Sequence, residues 1–238
     1  MNNTLFTNQM MGYDRSNTMF TPDGRIIQVE YAKKTVEHGS TAIGIVCKDG
    51  VLIVIDNRNG NNLLVSDFTE KIMQIDEHIG TAISGLISDG RILVEKSQLE
   101  AQMHRVTYDT KIDVKSITEY ICKEKQLFTQ FGGLRPFGVS IMVAGIDDKP
   151  RLFVTEPMGS FFEYRAAVFG EGEGKIKDKL AKSISKKLSI EKGLSLCIKL
   201  IRGYVGKEFN IDRITGFYIK TDKPIFTKFD DKEIKNAS

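Results

Sequence analysis

The sequence predicts an α+β fold in which antiparallel sheets stack and are covered by pairs of helices. Three observations carry this. Strand patterns come in runs instead of alternating singly with helices, which argues against a doubly wound parallel sheet. Pairs of amphipathic helices separate those runs. Two apolar runs, Thr41–Cys47 and Val51–Asp56, flank Asp49-Gly50, a residue pair suited to a tight hairpin.

Taken in order, residues 1–12 are rich in Asn, Thr, Met and Gly without a period, and read as a flexible tail. A helix start follows, with Thr21 as N-cap, Pro22 at the first helical position and Asp23 in the first turn. Ile26, Val29, Ala32 and Val36 continue at helical spacing, and Gly39 stands where a glycine ends a helix. After the hairpin, Lys71–Asp76 and Ile79–Ser84 form a second strand pair. Two long helices come next. Their predicted inward stripes are Ile92, Leu99, Met103 and Val106, then Val114, Ile117, Ile121 and Phe128. A second strand block runs from Phe137 to Gly170, with turns at Gly145–Pro150 and Pro157–Ser160. The second helix pair is marked by Ile176, Leu180 and Ile184, then by Leu194, Cys197, Ile198, Ile201 and Val205, with Ser189 as N-cap. A strand, Arg213–Lys220, and a short helix, Asp230–Ala237, complete the chain. No linker splits it, so one domain follows the tail.

Composition excludes several classes. With 238 residues, 41% hydrophobic and 27% charged, the chain can bury a substantial core and is no disordered or collagen-like sequence. A net charge of +3 is nearly neutral at this length, which argues against a nucleic-acid module. The densest basic stretch, Lys175–Lys192, is interrupted by Asp178 and Glu191 and reads as a solvated helix face. Three scattered cysteines, Cys47, Cys122 and Cys197, fit buried thiols in a reducing compartment. No apolar run approaches the roughly 20 residues that span a bilayer, and the N-terminus lacks the pattern of a secretory signal. A cytoplasmic protein without a membrane partner is expected.

Familiar catalytic motifs are absent. Gly170-Glu171-Gly172-Glu173-Gly174-Lys175 lacks phosphate-loop spacing and reads as a strand-to-helix turn. His38, His78 and His104 have no partner at ligand spacing, so no metal or cofactor is expected. There is no G-x-S-x-G elbow. The run Gly132-Gly133-Leu134-Arg135-Pro136 fits equally a loop with special backbone angles and a close approach to a partner.

Tyr13-Asp14-Arg15 and the block Thr21-Pro22-Asp23-Gly24-Arg25-Ile26-Ile27-Gln28-Val29-Glu30-Tyr31-Ala32 resemble proteasome α subunits of the archaeal kind. The resemblance continues through Gly39–Ile45, Thr69–Ile72, Ser84-Gly85-Leu86, Thr129–Ser140, Ala144–Asp147 and Glu163–Ala166, from Tyr13 to about Lys220. The chain departs from the family pattern in the Asn-rich run Asn57–Asn62, at Gly90 where Ala is usual, and after Lys220.

The resemblance implies a four-layer αββα sandwich, the N-terminal-nucleophile hydrolase fold, with an extra N-terminal helix. It implies a non-catalytic member of a seven-membered ring that caps proteolytic β subunits, templates their assembly, gates entrance of unfolded polypeptide and docks regulatory ATPases through their C-terminal tails. Carried over residue by residue, it places Tyr13, Asp14, Pro22 and Tyr31 in a gate cluster. Lys71, Gly85 and Leu86 fall in an activator-tail pocket, and Phe131, Gly132 and Gly133 at the pore constriction. A competing reading is a hydrolase self-cleaved between Gly39 and Ser40, with Ser40 as nucleophile and Asp56 and Lys71 near the catalytic acid and lysine. That chemistry needs a released α-amino group on Ser40 as general base. The cut that releases it discards the most distinctive block of the sequence, so Asp56 reads as a structural acid.

Overall fold

The computed structural model describes residues 11–57, 71–185 and 188–237. Most of the tail expected at 1–12, most of the Asn57–Asn62 run, and Asp67, Thr69 and Glu70 lie outside the described residues. Helix α1 (Ile27–Glu37) leads to strands β1 (Ala42–Cys47), β2 (Gly50–Asp56), β3 (Ile72–Asp76) and β4 (Ile79–Gly85). Helices α2 (Ile87–Tyr108) and α3 (Val114–Gln130) precede β5 (Val139–Ile146), β6 (Pro150–Thr155), β7 (Phe161–Glu163) and β8 (Ala166–Phe169). Helices α4 (Glu173–Ser183) and α5 (Ile190–Val205), strands β9 (Ile214–Lys220) and β10 (Thr227–Lys228), and α6 (Asp231–Asn236) follow.

The strands form two antiparallel five-stranded sheets, ordered β10-β9-β2-β1-β8 and β3-β4-β5-β6-β7. Alternation along each strand sends successive side chains to opposite faces, and here both faces are buried. On β2, Val51, Ile53 and Ile55 face the second sheet with Ala82, Met142 and Leu152. Leu52 and Val54 face α4 and α5, against Leu180, Leu194 and Ile198. On β5, Ile141 and Val143 pack outward against Leu93 of α2 and Ile117 and Ile121 of α3. The layers are therefore helices, sheet, sheet, helices, and the predicted sandwich is present, N-terminal helix included. Double burial also explains why these strands read as continuous apolar runs.

Three local expectations are corrected. Thr21-Pro22-Asp23-Gly24 is a turn, not the first turn of the helix. The Thr21 amide donates to the Arg25 carbonyl at 2.8 Å, the Arg25 amide donates to Thr21 Oγ1 at 3.0 Å, and Gly24 takes φ +77°. The threonine side chain thus closes a loop, and α1 begins at Ile27. The hairpin loop is Lys48-Asp49, because Gly50 already pairs with Cys47.

The third correction concerns α2. Its inward face is Asp89, Gly90, Leu93, Val94, Ser97 and Ala101. The expected stripe points away from the domain: Ile92 is 48% exposed, Leu99 62%, Met103 55% and Val106 87%. Small residues at Gly90, Ser97 and Ala101 let the helix sit close to the sheet, a requirement that apolar periodicity does not register. A Cβ on Gly90 would lie 2.7 Å from Ile83 Cγ2. We expect Gly90→Ala to destabilise by about 1–3 kcal/mol through overpacking, reversing the helix-propensity gain of about 1 kcal/mol. Urea unfolding checks this, and a more stable variant would refute it.

On α3, Val114, Ile117 and Ile121 are buried as predicted, and the Phe128 ring packs 4.4 Å from that of Phe137. Lys125 on the same helix is fully buried and donates to the Val139 carbonyl at 2.9 Å and to Thr155 Oγ1 at 2.7 Å. Ser189 caps α5, and Asp230 with Glu233 forms a capping box on α6. All three cysteines are buried thiols. No described helix is long and apolar enough to cross a membrane.

Candidate functional site

The junction between α1 and β1 is built on a close approach. A Cβ on Gly39 would meet Ser84 Oγ at 2.1 Å and the Gly85 amide nitrogen at 2.5 Å, so only glycine lets α1 dock there. Space makes the demand, since Gly39 is not among the positive-φ glycines. Gly85 does take φ +106°, and a Cβ there would lie 2.2 Å from the Gly138 carbonyl oxygen. That carbonyl accepts from the Leu86 amide and from Thr35 Oγ1, both at 2.9 Å, which ties α1, β4 and the segment before β5 together.

This junction frames a cavity of about 210 Å³ lined by Gly39, Ser40, Lys71, Gly85 and Glu171, among others. Lys71 Nζ donates to Ser40 Oγ. The Ser40 carbonyl accepts from Ser84 Oγ at 3.3 Å, and Ser40 itself is buried. The Glu171 amide donates to the Gly39 carbonyl at 3.0 Å, and the Glu171 carboxylate accepts from Tyr204 at 3.3 Å. The structure thus brings Lys71 and Gly85 into one cavity. Leu86 lies at its edge, 40% exposed, and is not part of the lining. Sequence reasoning did not assign Gly39 or Glu171 to this cavity. Glu171 lies in the glycine-rich turn, whose position beside Lys71 depends on strand pairing between β1 and β8.

Asp56 is buried, and its two carboxylate oxygens accept from Arg213 Nε at 3.1 Å and Nη2 at 2.9 Å. The guanidinium fork pairs this buried carboxylate through both of its oxygens.

Tyr13, Asp14 and Arg15 form one turn of 3₁₀ helix after Gly12, which takes φ +77°. Tyr31 is half-buried on α1, with Lys34 Nζ 5.8 Å from its ring centre. Pro22 is exposed in the turn before α1. Past the end of α3, Phe131 is 58% exposed, and neither Gly132 nor Gly133 has an atom within 4 Å of the place a Cβ would take. Gly133 adopts φ +84°. Two anchors hold this open loop. Asn17 Nδ2 donates to the Phe131 carbonyl at 2.8 Å and to that of Leu134. Asp89 accepts a fork from Arg135 at 2.6 and 2.7 Å and the Gly138 amide at 2.9 Å. Burial alone would raise the Asp89 carboxyl, but these donors hold it below the usual aspartate value. Asn17 carried no signal in the sequence, because its partners lie more than a hundred residues away.

A family model described as proteasome subunit matches residues 36–218, and a second, describing the N-terminal signature of the A-type proteasome chains, matches residues 13–34. The chain belongs to the proteasome subunit family, in its α type. Curated relatives agree. It is 43% identical over 225 residues to the proteasome alpha subunit of Archaeoglobus fulgidus, covering 94% of this chain and 92% of the relative. It is 40% identical over 227 residues to that of Methanosarcina thermophila, at 95% and 92% coverage. With the Methanocaldococcus jannaschii protein it shares 46% over 187 residues, at 78% and 72% coverage. Family membership implies assembly with other proteasome subunits.

In this α-type chain the signature coincides with the 3₁₀ turn, the Thr21–Gly24 turn and most of α1. It ends at Lys34, within α1. The Ser40–Lys71 pair lies at the junction that carries α1 into β1.

Proposed function

We propose that the chain is a non-catalytic ring and gate subunit of the 20S proteasome core in the cytoplasm. The observation that carries this reading is the close docking of α1 on the sandwich at Gly39, together with the N-terminal signature over residues 13–34. Ile27, Val29, Ala32 and Val36 bury that helix against the sandwich, so excising it would expose an apolar end. In this reading seven such subunits close a ring over the β subunits and template their assembly. Residues 1–12 are the gate tail, and 13–238 the body. The exposed stripe Leu99, Met103 and Val106 on α2 supports burial against a neighbouring chain, since such a patch is seldom left in water. Tyr13, Asp14, Pro22 and Tyr31 hold the open gate across neighbouring chains. Phe131, Gly132 and Gly133 line the constriction through which unfolded polypeptide passes. The Lys71 cavity receives the C-terminal carboxylate of a regulatory ATPase.

Intact mass is the direct test. A purified chain at 26.7 kDa fits the ring subunit, whereas loss of the segment before Ser40 would favour a self-cleaved hydrolase. Two functional tests follow. Deleting residues 2–12 is expected to speed peptide hydrolysis by particles assembled with β subunits, and unchanged hydrolysis counts against the gate role. Phe131→Ala is expected to change the rate at which unfolded chains are threaded without altering ring mass, and equal threading rates would remove Phe131 from the constriction.

A further inference from the structure

We propose that Asn17 is a positioning residue that couples the gate to the constriction. Its side-chain amide fixes the loop of residues 131–134 to the segment that carries the Tyr13–Arg15 turn, so the loop moves when that segment moves. The inference rests on the gate and constriction roles proposed above and supplies the part that joins them.

The loop has little support of its own. Helix α3 ends at Gln130, residues 131–135 are all exposed, and burial resumes at Pro136. A Cβ on Gly132 or Gly133 would meet no atom within 4 Å, so the middle of the loop stands clear of the described residues around it. At the near end the Phe131 amide donates to the Leu127 carbonyl at 3.3 Å, which only finishes the helix. At the far end the Arg135 guanidinium grips Asp89 of α2. Between these points the carbonyls of Phe131 and Leu134 both accept from Asn17 Nδ2, that of Phe131 at 2.8 Å.

A primary amide carries two N–H donors, and Asn17 gives one to each side of the glycine pair. That sets the separation of the two carbonyls. It also selects one conformation for Gly132-Gly133, which glycine by itself leaves free. Asn17 stands two residues after the Tyr13–Arg15 turn and is half-buried. Its neighbours shape the backbone around it: Ser16 Oγ lies 3.3 Å from Thr18 Oγ1 and accepts from the Thr18 amide at 3.4 Å. The gate segment and the loop, 114 and 117 positions apart at the two bonds, therefore share one bidentate contact. An aspartate in this place has the same shape but only acceptors, and its carboxylate would face two carbonyl oxygens. Asn17→Asp thus releases the loop without touching the sandwich core.

The chain contains no tryptophan, so Leu134→Trp gives the full chain a single fluorescent reporter in the loop. Adding Asn17→Asp is expected to raise the amplitude of its nanosecond depolarisation roughly twofold, with thermal unfolding and ring mass unchanged. Deleting residues 2–12 should alter the depolarisation when Asn17 is present and leave it unaltered in the Asn17→Asp background. In particles assembled with β subunits, Asn17→Asp should change the threading rate of an unfolded chain, and that effect should shrink when Phe131→Ala is already present, because both act through one loop. Asn17→Ala removes the amide without adding charge, is expected to behave alike, and takes over if Asn17→Asp fails to fold. Equal depolarisation with and without the Asn17 amide overturns the proposal, as do equal effects of the deletion in the two backgrounds. If Phe131→Ala changes threading while the reporter ignores Asn17→Asp, the constriction role stands and the coupling alone is wrong. If the reporter responds as expected while Phe131→Ala leaves threading unchanged, the coupling stands and the constriction role falls.

Discussion

A Lys71→Ala ring is expected to assemble normally and to bind an activator tail peptide more than tenfold more weakly than wild type. The peptide ends in a hydrophobic residue, tyrosine and any residue, with its terminal carboxylate unblocked. Lys71 reaches a cavity of about 210 Å³ whose wall includes the backbone at Gly39 and Gly85. A compact ammonium beside that backbone suits a carboxylate, and a charge-assisted hydrogen bond is worth about 1.5–3 kcal/mol. That range corresponds to roughly ten- to hundredfold in affinity. An exposed lysine pairing with neighbouring carboxylates would contribute only ~0–1 kcal/mol. Ser40→Ala serves as the control, because it removes the hydroxyl that Lys71 donates to while keeping the cation. If Lys71→Ala binds the tail as well as wild type does, or if amidating the peptide has no effect, the pocket assignment is wrong.

The second large effect concerns Lys125. Burial pushes its ammonium down to about 7, although Cys122 and Glu156 pull in the opposite direction. An unfolded lysine titrates near 10.4. Between those values the unfolded chain holds a proton that the folded chain has lost, so stability rises with pH by at most ~1.4 kcal/mol per unit. The buried thiols act oppositely. Cys47 is raised to about 12 and Cys122 to about 11, and Cys197 is raised as well, all first by burial. Unfolded thiols ionise near 8.5, so above that pH the thiols lower stability. A window from about 7 to 8.5 therefore isolates the lysine, and the difference between wild type and Lys125→Met cancels the cysteines. Urea unfolding should show wild type gaining on the variant through that window. A difference that stays flat with pH would mean that Lys125 remains charged in the fold, held by Val139 and Thr155.

Much of the architecture was legible because local patterns and both sheet faces agree. The runs that became β1, β2 and β5 carry apolar residues at nearly every position, and Ser189 and Asp230 cap their helices as their residue types dictate. The misreadings share one cause. Pro22 after a threonine matches a helix start equally well as a turn, and only the Thr21–Arg25 bonds distinguish them. On α2 the larger apolar residues define a stripe, but the helix packs through its small ones. The sandwich accepts the face that comes closest, and hydropathy does not measure closeness.

By itself, the sequence determined the order of elements, the stacked antiparallel sheets and, through the Tyr13–Ala32 blocks, the kinship with proteasome α subunits. Tertiary structure decided which face of α2 turns inward and where α1 begins. It also joined Ser40 to Lys71 across 31 positions, set Thr41 against the Glu171 carbonyl across 130, and tied Asn17 to the Phe131 loop across 114. The physical reason is range. Propensity and periodicity act within a few turns of chain, whereas a cavity forms where separate strands and helices are brought side by side by burying the surfaces between them.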